Sequence, residues 1–154
     1  MKGMKFNERG DIVPIDIYIV WGAPASGKTT YVREHMEPGD LVVDLDLIKQ
    51  SLSMQDKTET SDNLLKVAIG VRDYLYNVIE TREIECNNVW VVAGLPQKED
   101  REKLMQQLKT DKLIFIDTPI DECIKRAMND TERKDKKKQR YIIDKWFKQY
   151  CYEG

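Results

Sequence analysis

Eight consecutive residues, Gly22-Ala23-Pro24-Ala25-Ser26-Gly27-Lys28-Thr29, fit the pattern G-x-x-x-x-G-K-[ST] in full. The chemistry such a run can do is to hold a polyphosphate. Gly22 and Gly27 let the backbone turn tightly and approach an anion. The loop's amide groups and the positive end of a following helix face the phosphates. Lys28 is placed to reach the β- and γ-phosphates, and the Thr29 hydroxyl to hold Mg²⁺. The nucleotide-binding set is therefore Gly22, Ala23, Pro24, Ala25, Ser26, Gly27, Lys28 and Thr29, with Lys28 also catalytic. Thr30, one residue further, completes the set through hydrogen bonds within the loop and helix.

Two further groups of residues could act on such a ligand. Asp44-x-Asp46 puts two carboxylates at the end of a short apolar run. One can take a proton from a phosphoryl acceptor and one can order Mg²⁺ through water. The plainer reading of the pair is a solvated strand end that caps a helix. Lys49 follows at helical reach of Asp46. Arg126, Arg133 and Arg140 recur at seven-residue intervals, and Lys134, Lys136, Lys137 and Lys138 crowd the same stretch. Guanidinium groups suit phosphate oxygens whose charge shifts during transfer. What is missing also matters. The run 91–94, Val-Val-Ala-Gly, ends without the carboxylate that many ATPases use to hold Mg²⁺ and polarise water. Neither D-x-x-G nor N-K-x-D occurs, which argues against a GTPase switch.

The elements that must position these residues follow from periodicity. Residues 15–21 are apolar, β-branched and aromatic, which suits a buried parallel strand leading into the glycine loop. The spacing predicts a helix over 28–36, stopped by Glu37-Pro38-Gly39, and a second strand over 41–43. Residues 51–61 are polar and mixed in charge, a loop or a mobile helix end. Leu64, Ala68, Val71, Leu75, Val78 and Ile79 then recur at helical spacing with one buried stripe. Residues 89–93 and 113–116 read as a third and a fourth strand, with a helix over 99–109 between them. Thr118-Pro119-Ile120-Asp121 reads as a helix start, with Thr118 as cap and Pro119 at the first position. A last helix carries Ile142, Ile143, Trp146, Phe147 and Tyr150 on one side. Residues 4–13 read as an edge hairpin around Arg9-Gly10. In 130–140 nine of eleven residues are charged and none is large and apolar, the composition of a hinged flap.

Strands alternating with helices predict an α/β fold of three layers, with a mostly parallel sheet of four or five strands, helices on both faces and a helical lid over about 126–141. The chain has 154 residues, enough for one domain spanning 1–154. Hydrophobic residues make up 41% and charged residues 34%, a globular balance. The formal net charge of −2 excludes a global basic field, so any surface for nucleic acid must be local. Cys86, Cys123 and Cys151 are odd in number and widely spaced, which suits reduced thiols, and with the lone His35 they build no zinc site. No apolar run approaches the roughly 20 residues that cross a bilayer, and residues 1–11 are no signal peptide. The expectation is a cytoplasmic protein with no membrane partner.

Taken together, the strand, the 22–29 loop, Asp44-x-Asp46, the arginine-bearing segment and the closing Trp146 helix resemble the small P-loop kinases. The nearest groups are the polynucleotide-kinase and zeta-toxin-like kinases, including the "AAA family ATPase" proteins of phage and prophage genomes. The resemblance spans about 15–150. It implies ATP-dependent phosphorylation of a hydroxyl, with ATP and Mg²⁺ as cofactors. It implies Asp46 as base with Asp44 as its metal-side partner, and a lid whose Arg126 and Arg133 touch the phosphates. Shikimate-type kinases also carry Asp-x-Asp at this place. Two departures concern the acceptor: Lys49 stands where polynucleotide kinases place an arginine, and Gly94-Leu95-Pro96 replaces polar residues after the third strand. Arg72, on the long helix, is a further residue for the acceptor, which is a nucleotide, a nucleic-acid 5′ end or a small molecule. The alternatives are a non-catalytic nucleotide-binding accessory module and a nucleic-acid-associated ATPase of phage type.

Overall fold

The computed structural model describes residues 1–56 and 62–151. Four apolar runs form one parallel sheet: β3 (Asp16–Trp21), β4 (Leu41–Asp44), β5 (Asn88–Ala93) and β6 (Lys112–Phe115), in spatial order β4-β5-β3-β6. β3 therefore lies inside the sheet, paired with β5 from Asp16↔Asn88 to Trp21↔Ala93 and with β6 from Tyr18↔Lys112 to Trp21↔Phe115. Parallel neighbours need crossovers, and helices α1 (Lys28–His35), α2 (Leu45–Ser53), α3 (Leu65–Glu80), α4 (Lys98–Leu108), α5 (Ile120–Asn129) and α6 (Lys136–Cys151) supply and cover them. A single 3-10 turn, Asp62–Leu64, precedes α3.

The period-two alternation of the strands divides the core. Ile17, Ile19, Val43, Val89 and Val91 face α3 and α4, where Tyr76, Ile79, Leu104 and Leu108 meet them. Val20, Trp90 and Val92 point the other way, against Val32 of α1. Trp21, at the end of β3, packs with Cys123 and Ala127 of α5 and with Ile143 and Trp146 of α6. Helices on both faces of a four-stranded parallel sheet make the three layers that the alternation predicted.

Local details depart from the sequence reading. Residues 4–13 do form a hairpin, β1 (Met4–Phe6) with β2 (Ile12–Pro14), but as a separate two-stranded sheet and not as an edge of the main one. On α3, Ala68, Tyr76 and Ile79 are buried, while Leu64, Val71, Leu75 and Val78 are only half-buried; the stripe is rotated toward Tyr76. Thr118 does not cap α5. Pro119 takes that position without a side-chain hydrogen bond, and the Thr118 hydroxyl turns elsewhere. Residues 51–53 are the last turn of α2, and positions 57–61 of the expected polar loop lie outside the described residues. Of the flap expected over 130–140, residues 136–140 are the first turns of α6, and Gln139 is buried there. Cys86, Cys123 and Cys151 are free thiols, and no helix among the described residues is long and apolar enough to cross a membrane.

Candidate active site

The carboxyl ends of β3, β4 and β5 open into one cleft of about 940 Å³. Open α/β sheets bind ligands at this edge, because the helix N-termini that follow the strands point their amides there. The 22–29 loop joins β3 to α1 along that edge. Gly22 and Ala23 lie buried beneath the loop, and Pro24, Ala25, Ser26, Gly27, Lys28, Thr29 and Thr30 line the cleft. Glycine is required at both ends of the loop. A Cβ on Gly22 would stand 2.8 Å from the carbonyl oxygen of Ile116 and 3.0 Å from Ser26 Oγ, and Gly27 takes φ +103°.

The start of α1 is prepared for an anion. Gly27 caps it without a side-chain hydrogen bond, and its first turn holds no acidic residue. By contrast Asp46 stands in the first turn of α2, Glu99 and Asp100 in that of α4, and Asp121 and Glu122 in that of α5; α3 starts as α1 does, but its first turn does not line the cleft. The first amides of α1 therefore lack the internal acceptors that helix starts normally recruit. Ser26 Oγ, in a side chain only 1% exposed, has no hydrogen-bond partner among the described residues. A buried hydroxyl without a partner fits a site that a phosphate oxygen completes.

Lys28 reaches back over the loop. Its Nζ donates to the carbonyl oxygens of Gly22 at 2.9 Å and Ala23 at 2.7 Å. Burial of the ammonium lowers its pKa to about 8, against the upward pull of Asp44 and Asp46, and Arg133 pushes it down further. The folded value lies below the unfolded 10.5, so the folded state holds fewer protons between about 8 and 10.5 and stability rises with pH there. Below pH 8 the chain carries the full cost of a desolvated charge. A bound triphosphate restores the charged form, so binding of Mg-ATP takes up more protons at pH 8 than at pH 6.5. Calorimetric titration in two buffers of different ionisation enthalpy measures this uptake. An uptake that does not grow from pH 6.5 to 8 would contradict it.

Opposite the loop, Asp44 closes β4 and does what the plainer reading of the pair said. Its side chain accepts from the Asp46 amide at 2.9 Å and caps α2, at 8% exposure. Asp46 is different. Its carboxylate is 58% exposed, lines the cleft, and has Lys49 Nζ at 4.0 Å. Arg72 of α3 lines the same wall, with its guanidinium 5.4 Å from the ring centre of Tyr76. Burial pushes the Tyr76 hydroxyl's pKa up, so the phenol stays neutral in the cleft.

The arginines from α5 onward also arrive here, in different roles. Arg126 Nη1 donates to the carbonyl oxygen of Ser26 at 2.9 Å, and the Thr118 hydroxyl donates to that same oxygen at 2.7 Å. Both fix the loop itself. Arg133 is held by Asp130 Oδ2 at 3.2 Å and by Gln139 Oε1 at 2.6 Å, facing Lys28 across the cleft. Arg140 is exposed and does not line the cleft. Lys136 donates to the carbonyl oxygens of Ala127 and Asp130 at 2.9 and 2.6 Å, which ties the start of α6 to the end of α5. The Gly94 segment after β5 is pinned as well: Trp146 Nε1 donates to the Gly94 carbonyl oxygen at 3.0 Å, and Arg101 Nη1 to that of Leu95 at 2.8 Å.

Thr118, Tyr76, Gln139 and Arg101 were not singled out from sequence as site residues. Tyr76 carried one signal, its four-residue spacing from Arg72. Thr118 acts across 92 residues, while Gln139 and Arg101 each bond six residues away at a spacing that carries no motif.

A parallel sheet in which an inner strand feeds an uncapped helix start through G-x-x-x-x-G-K-T defines a P-loop nucleoside-triphosphate-binding protein. The AAA domain family, which is P-loop kinase-like, matches residues 17–147, and the chain belongs to it. A chain in the structure of the Pnkp1/Rnl/Hen1 RNA repair complex is similar in fold, with a TM-score of 0.67 at 20% identity over 90% of this chain and 44% of that one. A chain in a second structure of the Pnkp1/Rnl/Hen1 complex matches with a TM-score of 0.54 at 20% identity, over 73% of this chain and 38% of that one. This chain thus spans less than half the length of those two. A sequence search of curated proteins finds no match.

Proposed function

We propose that the protein is a phosphotransferase that moves the γ-phosphoryl group of Mg-ATP to a hydroxyl of a nucleotide, a nucleic-acid 5′ end or a small molecule, in the cytoplasm. The observation that carries this reading is the division of labour between two neighbouring carboxylates. Asp44 is buried and committed to a cap, whereas Asp46 presents an exposed carboxylate to the cleft, on the side opposite the phosphate loop. A binding module has no use for an exposed carboxylate in the cleft beyond its ion pair with Lys49, whereas a kinase uses one as base.

The donor set fits Mg²⁺. Thr29 and Asp44 both line the cleft, and no cluster of three acidic, histidine or cysteine side chains exists among the described residues. Mg²⁺ is held by one or two carboxylates together with substrate phosphates, and does not need such a cluster. When bound there it neutralises phosphate charge. The chain's own residues do the rest. The α1 amides and Lys28 hold the β- and γ-phosphates. Asp46 accepts the proton of the acceptor hydroxyl as that oxygen bonds to the γ-phosphorus. The bond from the γ-phosphorus to the β–γ bridging oxygen breaks, and ADP leaves. Arg133 faces the migrating charge. In this reading the lid reduces to the turn at 130–135 and the Arg133 it carries.

The test is transfer of labelled γ-phosphate to a panel of nucleosides, oligonucleotides and small hydroxyl compounds. Labelling of at least one acceptor is expected. A wild type that binds ATP and labels none would favour the accessory-module reading.

The two arginines should separate. Arg133→Ala is expected to lower kcat on the order of a hundredfold, as loss of one preorganised donor does, with ATP affinity little changed. Arg126→Ala frees the Ser26 carbonyl and deforms the loop, so it should weaken ATP binding as well. Nucleotide titrations and turnover on both variants check this; normal turnover in Arg133→Ala would remove it from the mechanism.

A further inference from the structure

α6 has two faces of opposite character. Ile143 and Trp146 are buried, and Phe147 and Tyr150 pack beside them on Trp21 and α5. The outward face carries Lys137, Tyr141, Lys145 and Lys148, all exposed, at helical spacing of three and four. Tyr141 is 65% exposed. Over Lys136–Cys151 there are six lysines and arginines and one carboxylate, Asp144, in a chain whose net charge is −2. Lys137, Arg140, Lys145 and Lys148 form no ion pair among the described residues, while Lys138 stands 3.9 Å from Asp62. α6 thus presents three lysines, unpaired among the described residues, around one exposed aromatic ring, with the exposed Asp144 the helix's one carboxylate beside them.

We propose that this face is a docking track for single-stranded nucleic acid, leading into the cleft. Lys137 and Lys145 lie about 12 Å apart along the helix with Tyr141 midway, a spacing set by the rise per residue. A strand laid along α6 can set phosphates two nucleotides apart on the two lysines and stack one of the bases between them on the ring. The track is continuous with the site, because Lys138, Gln139 and Ile142, next around the helix, line the cleft. Two other anionic partners fit less well. A membrane surface would need the apolar face of α6, which is spent in the core. A duplex hides its base faces in the stack and leaves Tyr141 without a role.

The inference does not depend on phosphotransfer. The probe is a fluorescently labelled single-stranded DNA oligonucleotide with a 5′-phosphate, which offers no 5′ hydroxyl, titrated without ATP and followed by anisotropy. The wild type should bind at low salt, on the order of 50 mM, with affinity that falls steeply as salt rises. The double variant Lys137→Ala/Lys145→Ala should flatten the slope of log K against log salt by about 1.4, the loss of two phosphate contacts. Tyr141→Ala should bind roughly ten- to a hundredfold more weakly, while Tyr141→Phe matches the wild type. All the substitutions lie on the surface, and circular dichroism checks that the fold is kept. No binding by the wild type, an unchanged salt slope in the lysine variant, or full affinity in Tyr141→Ala would each overturn the proposal. So would retention on phosphatidylserine vesicles without binding of the oligonucleotide.

Discussion

Lys28→Ala is expected to abolish nucleotide binding and turnover while leaving the protein folded. The lysine supplies charge-assisted hydrogen bonds to the β- and γ-phosphates, each contributing about 1.5–3 kcal/mol. Loss of two such bonds weakens binding by at least about a hundredfold. The fold should not suffer in proportion. The hydrogen bonds of the lysine within the fold go to loop carbonyls, and below pH 8 the wild type bears the cost of an ammonium whose pKa burial has lowered to about 8. Removing that charge offsets the two lost bonds to the Gly22 and Ala23 carbonyls. Calorimetric titration of Mg-ATP and thermal unfolding of both proteins decide the matter. Equal ATP affinity in the variant would refute the assignment of the loop.

Asp46→Asn should do the reverse: keep ATP affinity and lose transfer, by on the order of 10²–10⁴-fold. The amide nearly preserves the shape of the side chain and cannot accept the acceptor's proton. Because the cap on α2 belongs to Asp44, whose side chain receives the Asp46 amide hydrogen, the substitution leaves that cap in place. Asp44→Asn is the contrasting control. It touches the cap and the metal side together, so it should weaken Mg-dependent binding as well as turnover. Turnover in Asp46→Asn within a few-fold of the wild type would remove this carboxylate as the base.

The phosphate loop was legible because its constraints are local. Two glycines, a lysine and a threonine at fixed spacing, after a strand and before a helix, leave little else for the segment to be. The strand order could not be read that way. Nothing in residues 88–93 says that they pair with β3 on one side and β4 on the other. Thr118 shows the limit most clearly. Thr-Pro-x-Asp is a fair helix start, yet a carbonyl 92 residues away, on Ser26, takes its hydroxyl. Arg126 was expected over the phosphates and instead donates to the same carbonyl, a contact set by tertiary packing. The 130–140 stretch has no large apolar residue to anchor it. Its ties are polar: the Lys136 bonds to two carbonyls and the Arg133–Gln139 pair.

The stacking of Trp21 on Phe115, with Trp146 and Tyr150 against Trp21, bears on how the chain is made. The strand that ends at Trp21 leaves the ribosome long before the helix that covers it. Until α6 follows, the end of β3 and β6 present an uncovered aromatic surface, and the Gly94 carbonyl waits for its indole donor. A nascent or prematurely terminated chain lacking α6 should therefore carry a sticky patch beside an unformed cleft, bind hydrophobic dyes, and be a natural client of chaperones. α6 is thus the element that seals the aromatic end of β3 and pins the Gly94 segment beside the cleft.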